Sequence, residues 1–133
     1  MYAADAGVLI ELVLGGSKGQ LLKESMKEGV VSLFTHELAL VETRYILCRR
    51  IGRSEAWAKV ENLLSSGYLI VEDVSNLLEE AASLKCERKI ALPDCFTLAL
   101  ASKMGIRALF ATKEVEIIKE MEKNAFEVDL VFL

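Results

Sequence analysis

The chain predicts an α/β protein: five short strands in a mostly parallel sheet covered on both faces. Three observations carry this. Strand-like apolar runs recur at Tyr2–Ala4, 30–34 (VVSLF), 68–72 (YLIVE), 106–111 (IRALFA) and 126–132 (FEVDLVF). Sequence of helical period separates them throughout, which is the signature of parallel strands joined by helices. The length of 133 residues suits one core and is too short for two comfortable ones, so a single domain over 1–133 is expected.

Taken in order, Tyr2–Ala4 starts a buried strand and Ala6–Leu14 an apolar helix that Gly15-Gly16 ends. Residues 17–28 suit a short amphipathic helix. After Gly29 comes the second strand, and Thr35 is placed to cap a long helix from His36 to Arg50, ending near Gly52. Ser54 is read as the cap of a helix over 55–66 that Gly67 closes. Asn76 to Lys89 reads as helical, with Leu77, Leu78, Ala81 and Leu84 on one stripe. Leu92-Pro93-Asp94 opens a helix and Gly105 closes it, since proline suits a first turn and glycine a C-terminal end. Residues 114–123 form a charged short helix before the last strand.

Apolar residues make up 53% of the chain, rich enough to expect a well-buried sheet and an apolar partner surface. No stretch approaches the roughly 18–20 uncharged apolar residues of a membrane span, and no export signal is seen. Cys48, Cys86 and Cys95 are odd in number and far apart, which fits a reducing cytoplasm better than a disulfide framework or zinc ribbon. The net charge of −4 counts against a general polyanion binder but leaves room for a nuclease whose acidic site a metal neutralises.

Four acids stand in unusual places. Asp5 sits at the junction of the first strand and helix, inside an apolar run. Asp94 follows Pro93 in a first turn and shares a face with Leu98 and Ala101, which leans it toward the core. Glu42 lies among Leu38, Ala39, Tyr45 and Ile46, while Leu40, Leu47, Ile51 and Arg44 occupy the opposite side of its helix. An acid on such a face is costly unless paired or metal-bound; Arg49, two turns on, is the available partner. Glu114 follows Thr112, the expected end of the fourth strand, and Glu116 is close enough to compete with it. Taken singly, each acid has a structural reading: a helix start for Asp5 and Asp94, a pair with Arg49 for Glu42, a solvated first turn for Glu114. Together, Asp5, Asp94 and Glu114 face one edge of the sheet, where ligands of such folds bind. Clustered carboxylates repel and need a cation; all-oxygen ligation selects Mg²⁺ or Mn²⁺.

At these residues the chain resembles the PIN-domain family. YAADAGVLIELVLG resembles its opening strand and helix, LALVETRYILCRR its second motif, and LPDCFTLALASKMGIRALFAT its third. The family's final Thr-x-Asp is here Thr112-Lys113-Glu114, and Ile117 stands where an aromatic is common. The resemblance implies a parallel, five-stranded α/β/α sandwich and a Mg²⁺- or Mn²⁺-dependent ribonuclease, commonly a VapC-like toxin that dimerises and pairs with a small antitoxin. Asp5, Glu42 and Asp94 would hold the metal, Glu114 would hold that ion or a second, and Thr112 would bond a carboxylate, water or phosphate.

Other chemistries lack their residues. His36 is the only histidine, which excludes two-histidine ribonuclease chemistry and disfavours a Ser-His-Asp triad. Asp5-Ala6-Gly7 is not the Asp-x-Asp of aspartyl-phosphate enzymes, and no phosphate loop is present. Arg44, Arg49, Arg50 and Arg53 form the only dense basic set, the candidate RNA contact. The alternative expectation is a non-catalytic PIN-like module with a degenerate metal site, binding a protein partner through its apolar helices.

Overall fold

A computed structural model describes all residues, 1–133. The strands are β1 (Tyr2–Ala4), β2 (Leu33–His36), β3 (Leu69–Glu72), β4 (Arg107–Phe110) and β5 (Leu130–Phe132). The helices are α1 (Ala6–Leu14), α2 (Ser17–Lys27), α3 (Glu37–Ile51), α4 (Arg53–Ser65), α5 (Leu78–Glu87), α6 (Leu92–Met104) and α7 (Val115–Lys123). Every strand pair is parallel and the order is β3-β2-β1-β4-β5. The chain therefore runs outward in one direction from β1 through β2 and β3, then returns to the other side of β1 with β4. That reversal leaves a crevice at the carboxyl ends of β1 and β4, the place where open parallel sheets bind ligands.

Alternation along the strands builds two cores. Ala4, Leu33, Leu69 and Leu109 join Leu9, Leu12, Leu40, Leu47 and Val60 on the face covered by α1 to α4. Ala3, Phe34, Ala108 and Phe110 join Leu77, Ala81, Leu98, Ala99 and Ile117 on the face covered by α5 to α7. Successive side chains point to opposite faces, so the expected α/β/α sandwich follows from the two-residue period of the strands. No helix is long and apolar enough to cross a membrane.

Several local boundaries differ from expectation. The second strand is shifted toward the carboxyl end. Val30 and Val31 donate their amides to the Ser25 carbonyl, extending the exit from α2, while Thr35 and His36 stay in register with Val71 and Glu72. Thr35 is thus a strand residue whose hydroxyl donates to the Ala4 carbonyl at 2.9 Å, and His36 takes the cap of α3. Helix α4 starts at Arg53, before Ser54, with Gly52 at the cap position and no side-chain cap. A single 3₁₀ turn at Val74–Asn76, capped by the Asp73 carboxylate on Ser75 N, precedes α5. Leu78 consequently faces out, while Leu77 and Ala81 are buried. Strand β4 stops at Phe110, so Thr112 lies beyond the sheet, and β5 is three residues long, preceded by a bend at 127–128.

Candidate active site

Asp5 is the cap of α1. One carboxylate oxygen accepts the Val8 amide at 3.0 Å, which satisfies a free helix-start donor and fixes the side chain. Its own amide donates to the Leu109 carbonyl at 3.1 Å, tying the cap to β4. Gly7 makes this approach possible: a Cβ there would stand 2.7 Å from the Ala111 Cβ and 3.4 Å from Asp5 Oδ1. Burial pushes the Asp5 carboxyl up to about 6, and Glu114 and Glu42 push the same way against amide bonds from Val8 and Ala111.

Asp94 enters from α6, in the first turn after Pro93, and is buried at 8% exposure. Burial raises its carboxyl to about 7, helped by the charges of Glu114, Asp5, Glu42 and Glu116 in that order. Glu42 sits half-buried on the second turn of α3, and burial followed by the Glu114 charge raises its pKa. Glu114 is exposed and occupies the cap position of α7 without a side-chain cap bond. Four elements thus bring Asp5, Glu42, Asp94 and Glu114 into each other's electrostatic field, with Glu116 at the margin. Thr112 is exposed at the same edge; its carbonyl accepts the Glu114 amide at 3.1 Å.

No cation answers this charge. The protein's four ion pairs use Lys59–Glu55, Arg88–Glu120, Lys103–Glu72 and Lys123–Glu120. Arg49, the partner considered for Glu42, instead lies over the Tyr45 ring, its guanidinium 5.2 Å from the centre. As the side chains lie, no three acids, cysteines or histidines are close enough together to grip one ion. Cys95, next to Asp94, is buried, and burial raises its thiol pKa, the opposite of what a nucleophile needs.

One buried network escaped the sequence reading. His36 is fully buried; its Nδ1 accepts the Ala39 amide at 3.1 Å and its Nε2 lies 2.9 Å from Thr97 Oγ1. With Nδ1 accepting, the proton sits on Nε2 and is donated to Thr97. The Thr97 hydroxyl donates onward to the Pro93 carbonyl at 3.3 Å. Burial lowers the His36 pKa to about 4, so the ring is neutral at pH 7. The network joins the end of β2 to the first turn of α6, the turn that carries Asp94. Its only sequence signal was a single histidine at a helix start.

A doubly covered parallel sheet with unpaired carboxylates at its switch point defines a class of acidic-site α/β proteins. The PIN domain model matches residues 2–121, and the chain belongs to that family. Among solved structures, Mycobacterium tuberculosis VapC20, described as a Sarcin-Ricin loop cleaving toxin, superposes with a TM-score of 0.68 at 22% identity, covering 90% of this chain and 94% of that one. A toxin–antitoxin complex from Klebsiella pneumoniae gives a TM-score of 0.67 at 16% identity, covering 98% and 96%. At these identities the likeness is one of fold. No curated protein matches the chain in sequence.

Proposed function

We propose that this protein is a divalent-metal-dependent ribonuclease that hydrolyses RNA phosphodiester bonds, acting as the toxin of a toxin–antitoxin pair. The observation that carries the reading is the acidic edge: burial and the charge of neighbouring acids, Glu114 among them, raise the proton affinity of Asp5, Glu42 and Asp94, and none of the four carboxylates is in an ion pair. An oxygen-only donor set of this charge fits Mg²⁺ or Mn²⁺. Asp5, Glu42 and Asp94 would hold the ion, with Glu114 on the same ion or a second. Such an ion, when bound, lowers the pKa of its water and stabilises charge on the phosphate.

The chain's own residues do the rest. The Val8 amide fixes the direction of Asp5. Asp94, buried in the first turn of α6, is held in one place by the helix start and presents its carboxylate to the crevice as a fixed oxygen donor. Thr112 offers an exposed hydroxyl to a phosphate or water. Glu42 and Glu114, at the solvent boundary, keep the rotamer freedom that gathering around an ion uses.

Support for the toxin role comes from family membership and from likeness in fold to VapC20 and to the Klebsiella toxin–antitoxin complex. A small antitoxin that masks the acidic edge belongs to this proposal, as does a cytoplasmic setting. So does a homodimer using the exposed Leu78 and Leu92 at the starts of α5 and α6. Incubation of mixed RNAs with the protein in Mn²⁺, in EDTA, and as Asp94→Asn tests the activity. Cleavage only by the wild type in Mn²⁺ is the expected result; cleavage that survives chelation and the substitution overturns it. A second reading, a non-catalytic partner-binding module, is favoured by the separation of the acids and by glutamate at position 114. It predicts no cleavage and no metal-linked rise in melting temperature.

A further inference from the structure

Away from the acidic edge, the corner between α3 and α4 carries a pattern that the hydrolysis reading leaves unused. Tyr45, Arg49, Arg53 and Trp57 follow one another at intervals of four residues. Within a helix that interval stacks side chains on one face. The chain turns the corner at Gly52, whose φ of 88° favours glycine, so Arg49 and Arg53 flank the turn. The Arg49 guanidinium stands 5.2 Å from the Tyr45 ring centre and that of Arg53 stands 5.1 Å from the Trp57 ring centre. Both rings remain substantially exposed, at 43% and 42%.

The charge here is uncompensated. Four of the six arginines lie between 44 and 53 in a chain of net charge −4. None of the four forms an ion pair; Glu55, two residues from Arg53, pairs with Lys59 at 4.0 Å instead. Charge alone suits any polyanion, and the rings narrow the choice. Nucleobases stack on exposed aromatic and guanidinium planes while arginine edges take phosphates. An acidic peptide has no repeated flat groups to offer the two rings, and a duplex keeps its base faces buried. Position adds a further argument. Tyr45 lies one turn beyond Glu42 on α3 and Arg49 two turns beyond, roughly 10 Å along the axis.

We infer that Tyr45, Arg49, Arg53 and Trp57 form a binding track for single-stranded RNA that leads to the acidic edge. Its direction rests on the ribonuclease reading; the binding itself does not. Trp57 is the only tryptophan, so its fluorescence reports directly on stacking. The full chain in EDTA, titrated with a short oligoadenylate, is expected to show quenching. The logarithm of affinity should fall with the logarithm of salt concentration at about −0.7 for each phosphate held. Arg49→Ala with Arg53→Ala should flatten that slope by roughly two phosphates' worth. By anisotropy of a labelled oligonucleotide, Trp57→Ala should weaken binding about 5- to 150-fold, with Trp57→Phe restoring most of it. Arg107→Ala, at the opposite end of β4, should change nothing.

Absence of quenching overturns the track, as does equal quenching by inorganic polyphosphate, which has no bases. Tighter binding of oligodeoxyadenylate overturns the assignment to RNA. A dimer that Trp57→Ala dissociates overturns it in favour of a second copy. Cleavage in Mn²⁺ without quenching defeats the track and leaves the nuclease reading intact; quenching without cleavage does the reverse.

Discussion

Asp94 and Glu120 are both buried acids, 8% and 5% exposed, yet their surroundings differ completely. Glu120, near the end of α7, is held by Arg88 at 3.9 Å and Lys123 at 3.2 Å. The same Arg88 donates to the carbonyls of Glu120, Asn124 and Ala125 and lies over Phe126, closing the end of the helix. Asp94 forms no ion pair, and the charges that shift its carboxyl are those of other acids. A buried charge that is paired and bonded serves the fold; one left among like charges costs stability unless something outside the chain answers it. The contrast separates an acid that the fold has paired from one that it has left unpaired, without reference to sequence position.

The largest effect should come from the paired region. Arg88→Ala removes one partner of a buried pair and three carbonyl bonds, and is expected to cost about 3–5 kcal/mol in urea unfolding. Cleavage per folded molecule should be unchanged. A loss below about 1 kcal/mol, the range of an exposed pair, would dissolve the contrast.

At the acidic edge the sign reverses. The Asp94 carboxyl titrates near 7 in the folded chain against 3.8 ordinarily, so folding favours its neutral form. Its penalty is absent below about pH 4, grows as pH rises, and is complete above about 7. In EDTA at pH 8, Asp94→Asn should therefore stabilise the protein by about 2–4 kcal/mol. A destabilised Asp94→Asn would mean that the carboxylate is held for structure. His36 works in the other direction, since its folded pKa near 4 lies below the ordinary 6.5 and its contribution is lost as pH falls between those values. Asp5, raised to about 6, loses stability with rising pH as Asp94 does, so the two acids together outweigh His36. The wild type should thus lose stability from pH 4 to 6.5 and Asp94→Asn should show a nearly flat profile, measured by thermal melts across that range.

Smaller effects sharpen the geometry. Gly7→Ala must push Ala111 away from Asp5 and should cost about 1–3 kcal/mol; no loss would show that the crevice is looser than drawn. Thr97→Val removes the link from His36 to Pro93 and should cost about 1 kcal/mol by urea unfolding.

Much of this was legible in the sequence because it is local. Pro93 and Gly105 marked the ends of α6, Gly15 the end of α1, and the acids at helix starts pointed to one edge once the strands were taken as parallel. What was missed depends on distant pairing. Arg88 meets carbonyls 32 to 37 residues away, and His36 meets Thr97 at a separation of 61. The shift of β2 follows from Ser25 capturing Val30 and Val31, a competition that strand propensity does not register. The arginine set was open to view as a candidate RNA contact, but only the ring contacts joined Tyr45 and Trp57 to it.

The most direct test of the central claim, that the unpaired acids await a divalent ion, is calorimetric titration of the folded protein with Mn²⁺ at pH 7.5, paired with melting curves. The account predicts saturable binding by the wild type, stabilisation of about 2.7 kcal/mol at a hundredfold excess over Kd, and loss of both in Asp94→Asn. A wild type that neither binds nor gains stability, or an Asp94→Asn variant that binds as well, would contradict it.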